Sequence, residues 1–275
     1  MERNRSDFLE ALGHLEEPMG MFYTDVEPAE GFTPKQGAAF SYEMEQRAEV
    51  DWRVLWQNFS CVMGNIWLAR KKNNAAYFDA QHYGCVGGSF YLGFHKPQLD
   101  FIAHYISTGC ADQTQGERYL RSPDSARRFF TEIDPRPAPA RFCVFKPLSR
   151  FQQGESPEIV TFFVRGEALS GLCVLATFVT DDFEVVAAPF GAGCSFLVTW
   201  PLHYLAQGKF KAVLGSPDPS NRKFLKTDEM TFSVPYEMYL QMLSSWRESF
   251  LAGATWEGVK KKIRRSRQVW GELDE

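Results

Sequence analysis

The sequence predicts an α+β fold made of two copies of one α/β unit, packed about a pseudo-two-fold axis into a single domain and followed by C-terminal helices. Three pairs of matching segments, in the same order in each half, carry that reading. Ser122-Pro-Asp-Ser-Ala-Arg-Arg-Phe-Phe130 matches Ser216-Pro-Asp-Pro-Ser-Asn-Arg-Lys-Phe-Leu225, with Pro219 as the one inserted residue. Upstream, Tyr77–Cys85 matches Val185–Cys194, each a β-like run, a glycine turn and then a cysteine. Further upstream still, Pro18–Tyr23 matches Glu158–Phe163. The first copy covers about residues 17–150 and the second about 157–253, with 152–156 between them and a basic terminal helix over 254–275.

Taken in chain order, the elements follow from their patterns. Pro18–Tyr23 and Glu158–Phe163 are apolar runs of strand length and read as buried strands. Val54, Leu55, Phe59, Val62, Met63, Ile66 and Trp67 recur at helical spacing, which predicts one long helix over Asp51–Lys72 with Cys61 inside it. The Lys71-Lys72-Asn73-Asn74 run suits its C-terminus. Polar, glycine-containing residues 109–118 read as an exposed loop. Both Ser-Pro-Asp turns supply a helix N-cap followed by a short amphipathic helix. Phe142–Phe145, Ala212–Leu214 and Met230–Val234 read as strands, the first and last stopped by Pro147 and Pro235. Tyr236–Leu251 is an apolar helix, and Trp256, Val259, Ile263 and Trp270 share one face of a last helix.

Composition narrows the class. A hydrophobic content of 44% with 24 Phe, 10 Tyr and 7 Trp is that of a folded globular chain, not a disordered one. A net charge of −4 gives no reason to expect nucleic acid as a partner. Gly171–Val179 is the nearest approach to a membrane span and is far too short, and Met1–Leu15 lacks the apolar core of a signal peptide. The cytoplasm is therefore the expected location. The basic residues of Lys260–Arg267 read as the solvated face of a docked helix against an otherwise acidic chain, since two tryptophans are a large apolar surface to leave in water. The sequence is silent on oligomeric state.

The chemistry-bearing residues are few. Six cysteines without a CxxC pair are too sparse for a disulfide scaffold and read, one by one, as small buried hydrophobes. Symmetry sharpens this. Cys85 and Cys194 occupy matching turns, so a pseudo-two-fold axis would bring them face to face, with Cys61 as a third thiol nearby. Three thiolates in a dry site suit an iron–sulfur cluster with one iron open, or zinc. Gly87 and Gly88 would let backbone approach such a group. His82, three residues before Cys85, is a candidate ligand or proton donor, while Arg127 and Arg222, equivalent under the duplication, are anion candidates. Cys110 is expected in the exposed loop and Cys143 in the core. The set excludes the sequence-defined classes: no Walker A, GxGxxG, HExxH or GxSxG pattern is present.

Several short motifs together resemble the DUF169 family, an uncharacterised bacterial and archaeal group. They are Pro18-Met-Gly-Met-Phe22, Phe59-Ser-Cys61, Cys85-Val-Gly-Gly-Ser-Phe-Tyr-Leu-Gly-Phe94, Lys146-Pro-Leu148, Pro157-Glu-Ile-Val160, Gly193-Cys194, Gly215 with Asp218 and Arg222, and Ser233-Val-Pro235. The resemblance spans about Glu17–Leu251 and leaves the basic helix outside. It implies a cytosolic protein with Cys61, Cys85 and Cys194 at the family's cysteine positions, and it implies no established activity. The leading expectation is a metal- or iron–sulfur-binding protein with redox or small-substrate chemistry at the interface of the repeats. The alternative is a non-catalytic module that binds a small molecule or anion in a pocket of Phe90, Tyr91, Phe196 and Trp200. A third reading makes the terminal helix a docking element.

Overall fold

A computed structural model of the chain describes residues 2–51, 53–54, 60–95, 100–111 and 115–270. Its elements in order are α1 (Glu2–Leu12), β1 (Met19–Thr24), α2 (Tyr42–Gln46), α3 (Val62–Lys72), β2 (Ala76–Phe78), α4 (Val86–Tyr91), α5 (Asp100–Tyr105), α6 (Pro123–Ile133), β3 (Phe142–Pro147), β4 (Ile159–Val164), α7 (Gly166–Thr180), β5 (Val186–Ala187), α8 (Thr199–Ala206), β6 (Ala212–Gly215), β7 (Met230–Pro235), α9 (Tyr236–Ser245) and α10 (Ala254–Trp270). Strands from both halves join one seven-stranded sheet in the order β2-β3-β1-β4-β7-β6-β5. Every neighbouring pair is antiparallel except β5–β6, which is parallel.

The two strands called as equivalents, β1 and β4, lie side by side at the centre. Met19 pairs with Thr161, Gly20 with Val160 and Met21 with Ile159, so the register reads the same from either strand. Their outer neighbours correspond as well: Pro147 of β3 stands opposite Met19, and Pro235 of β7 stands opposite Ile159. Each strand then ends at its proline, because the ring removes the N–H that the ladder would need.

All six residues of β4 are buried, as a strand covered on both faces must be. Ile159 and Phe163 face one apolar layer, together with Met19, Met21, Phe145, Val62, Ile66, Phe130 and Phe196. Val160, Phe162 and Val164 face the other, with Phe8, Leu12, Leu172, Met238 and Trp256. The period of two thus places α3, α4, α6 and α8 on one face and α1, α7, α9 and α10 on the other. The first of these faces carries the cysteines.

Four helices depart from the sequence expectation, the one expected over Tyr236–Leu251 by ending at Ser245 and giving way to 3-10 turns. The helix predicted over 51–72 is not one piece: residues 53 and 54 are helical, Ser60 is not, and α3 begins at Val62 with Cys61 as its N-cap in extended backbone. Residues 52 and 55–59 of that expectation lie outside the described residues. After Ser122, whose Oγ accepts from Ser125 N–H, the first Ser-Pro-Asp turn opens an α-helix. After the second, Pro219 moves the cap to Asp218, and only a 3-10 turn forms over Pro219–Phe224. The terminal helix is docked along most of its length, but its apolar face is buried only at the start. Trp256 is 5% exposed and donates from Nε1 to Ala11 O at 2.8 Å, whereas Trp270 is 80% exposed. α1 and α7 reach along the helix as far as Arg267, which pairs with Glu167, and leave Trp270 beyond them.

These differences predict small, opposite effects. Ser122→Ala should lower stability by about 1 kcal/mol, the usual worth of an N-cap hydroxyl. Trp270→Ala should stay within about 0.5 kcal/mol, because it removes surface already in water. Urea unfolding of both variants checks the pair.

Candidate functional site

Cys61, Cys85 and Cys194 converge on the sheet face that bears α3 and α4. Each sits where a helical segment begins: Cys61 caps α3, Cys85 caps α4, and Cys194 lies in the 3-10 turn Gly193–Phe196 ahead of α8. The Cys85 Sγ accepts the Gly88 N–H at 3.1 Å. Burial pushes its thiol up to about 12; a charge on Cys61 adds to the rise, and the N–H groups of Gly88, Gly87 and Val62 offset it in part. Burial also drives Cys194 well above the ordinary thiol range, reinforced by Cys85, Cys61 and the Asp218 carboxylate. Cys61 rises for the same first reason, opposed by the N–H groups of Gly64 and Met63 and by the Lys223 ammonium. The thiols therefore lie within each other's electrostatic reach, and without a cation they stay protonated at neutral pH.

The glycines divide by role. A Cβ on Gly88 would fall 2.6 Å from Val62 Cγ2 and 2.8 Å from Tyr83 O, so this glycine lets α4 pack against α3. A Cβ on Gly87 would meet only the Tyr91 ring, at 3.8 Å, which leaves the backbone beside Cys85 open.

Beneath Cys194 lies a residue that the sequence reading passed over. Asn221 is 1% exposed, and neither its amide oxygen nor its nitrogen has a hydrogen-bond partner among the described residues. It packs against Gly193 so closely that a Cβ there would lie 2.0 Å from its Nδ2. A buried amide without partners is costly and marks a place where a polar group is expected to bind. A signal was available in the matched segments: Asn221 aligns with Ala126, which is fully buried. Asp218 braces the same loop, accepting Gly193 N–H at 2.9 Å, Ser220 N–H at 2.9 Å and Ser220 Oγ–H at 2.9 Å.

A cavity of about 200 Å³ opens beside these residues, lined by Tyr91, Glu117, Tyr119, Phe190, Ala192 and Asp218 among others. Burial raises the Tyr91 phenol, and charges on Cys194, Asp218 and Cys85 add to it. Burial also raises the Glu117 carboxyl, with Asp218 contributing. Of the aromatic residues expected to line a pocket, Tyr91 does; Phe90 and Phe196 are core, and Trp200 stacks on Tyr204 with its Nε1 donating to Phe190 O.

The remaining candidates are engaged elsewhere. His82 Nδ1 lies 3.0 Å from Asp79 Oδ1, within one turn. Arg127 pairs with Asp100 and Asp124, both at 2.7 Å. Arg222 donates to the carbonyls of Glu229, Lys226 and Thr227, stitching the loop ahead of β7. Neither arginine lines the cavity. Cys143 is buried in β3, while Cys110 and Cys173 are half-buried. Among the described residues, no three His, Cys, Asp or Glu side chains stand close enough to share a single metal ion. No helix among them is long and apolar enough to cross a membrane.

Comparison with known proteins gives one match. The profile of the DUF169 family, described as Uncharacterised ArCR, covers residues 7–245. No curated protein and no solved structure matches the chain.

Proposed function

The chain belongs to the DUF169 family, whose description names no activity, and we propose from its site that Cys61, Cys85 and Cys194 hold an iron–sulfur cluster at the junction of two duplicated halves. The electrostatic coupling of the three thiols is the observation that carries this reading. The matched registers of β1 with β4 and of their proline-ended neighbours support the duplication and one shared domain. On that reading Cys85 and Cys194 are equivalents that approach across the axis.

The donor set favours a cluster over a single ion. Two thiolates on one tetrahedral zinc lie only about 3.8 Å apart, given Zn–S bonds of about 2.3 Å. Three thiolates with one iron left open are a known donor pattern for such a cluster. The N–H groups of Gly87 and Gly88 and the unpartnered Asn221 amide would offer hydrogen bonds to it. Bound, the group would supply redox or Lewis-acid chemistry. The chain's own residues would position a small substrate in the cavity through Tyr91, Glu117 and Asp218. His82, Arg127 and Arg222 have no part in this reading.

Protein purified without oxygen should contain iron and matching sulfide, with a broad visible absorbance. Cys85→Ala and Cys194→Ala should each lose most of that iron, and Cys173→Ala should keep it. Zinc in place of iron would overturn the cluster in favour of a simple thiolate site. Metal-free protein that is fully folded would leave the second reading, a non-catalytic small-molecule module, which the cavity favours on its own.

A further inference from the structure

We infer that the cavity beside Cys194 is a receptor for a small organic ammonium ion, held by the aromatic rings of Tyr91, Tyr119 and Phe190 and by the carboxylates of Glu117 and Asp218, all of which line it. This deepens the reading above by naming the class of ligand that the same site would take.

Three features of the wall point to that class. It is mostly apolar and aromatic, and a ring face attracts a cation through its quadrupole. Its two carboxylates lie within electrostatic reach of each other, and each raises the proton affinity of the groups around it. Like charges held together in partly desolvated surroundings are relieved by a cation. The lining, among the described residues, contains no lysine, arginine or histidine to provide one. Asp218 accepts from three donors, and Glu117 Oε1 accepts the Tyr105 hydroxyl at 3.1 Å, so both side chains are held in place before any ligand arrives.

A metal cation is the poorer occupant, because strongly hydrated ions need several oxygen ligands and gain little from aromatic walls. An anion would meet two carboxylates. A methylated ammonium has weak hydration and a broad apolar surface, which is what this wall complements. The volume, about that of six or seven waters, limits the ligand to a handful of heavy atoms.

The test is calorimetric titration of the full chain with three molecules of one shape: choline, its neutral carbon isostere 3,3-dimethylbutan-1-ol, and the anionic 3,3-dimethylbutanoate. Choline should bind at least about tenfold more tightly than either of the others. Glu117→Gln and Tyr119→Ala should each weaken choline several-fold while the thermal midpoint stays unchanged. Equal binding of choline and the alcohol, preference for the carboxylate, or no binding of choline overturns the inference. Titrating preparations with and without iron separates the two readings. Iron-free protein that selects choline sinks only the cluster, and iron-loaded protein indifferent to charge sinks only the ammonium site.

Discussion

Replacing Glu229 by alanine should cost about 3–5 kcal/mol of stability, because it strands a buried guanidinium. The Arg70 side chain is 8% exposed and that of Glu229 is 3% exposed. Arg70 makes a two-pronged bond to Glu229 at 2.7 and 3.1 Å, reaches Glu16 at 2.6 Å, and lies 3.7 Å from the centre of the Phe163 ring. Removing Glu16, which is a third exposed, should cost under about 1 kcal/mol, since water replaces it. The double variant Arg70→Met/Glu229→Leu should recover most of the loss, as hydrophobic replacements of buried pairs commonly do. Urea unfolding of the single and double variants gives these numbers, and a Glu229→Ala cost below about 1 kcal/mol would refute the argument. Arg70 sits in the last turn of α3, the helix that Cys61 caps. The ion pair therefore also fixes where one of the three thiols stands.

In metal-free protein, stability should fall as pH rises above about 9, and Cys85 should account for much of the fall. Its thiol is pushed up to about 12 in the folded state, from an unfolded value near 9, chiefly by burial. The folded state thus favours the protonated thiol. The contribution is whole below the unfolded pKa and is lost as pH climbs towards the folded one. The slope is about 1.4 kcal/mol per pH unit in that window, or on the order of 4 kcal/mol in full. Cys61 and Cys194 shift in the same direction, so the three titrate as a coupled set. Urea midpoints at several pH values, for wild type and Cys85→Ala, measure the difference. Profiles that stay parallel would sink the claim. Loading with metal should flatten the wild-type profile, because bound thiolates have already released their protons.

Much of the framework was legible before any coordinates. The apolar runs at Pro18–Tyr23 and Glu158–Phe163 became the two central strands, Pro147 and Pro235 ended their partners, and Ser122 capped the helix that its turn announced. These are local signals: a proline cannot donate to a ladder, and a serine caps the chain that follows it, whatever lies around them. The matched motifs likewise singled out Cys85 and Cys194 with no spatial information.

Other features depended on what the chain meets when it folds. Helical spacing over 51–72 could not show that Cys61 would sit at a helix start, because periodicity reports which face is apolar and not where the first turn closes. The same spacing drew Trp256 and Trp270 onto one stripe, yet burial needs a partner surface, and α1 and α7 supply one only to Trp256. Arg127 and Arg222 align in sequence but meet carboxylates in one case and carbonyls in the other, so equivalence in the repeat did not become equivalence in chemistry. What the sequence by itself determined is the order of elements and the strands at the centre, set by propensity and pattern within short windows. The placing of Cys61 at the start of α3, the unpartnered Asn221 and the cavity lined by Tyr91, Glu117 and Asp218 were decided by the tertiary structure alone. The last two join residues far apart in the chain, and only the packing of helices on the sheet brings such groups within a few ångströms.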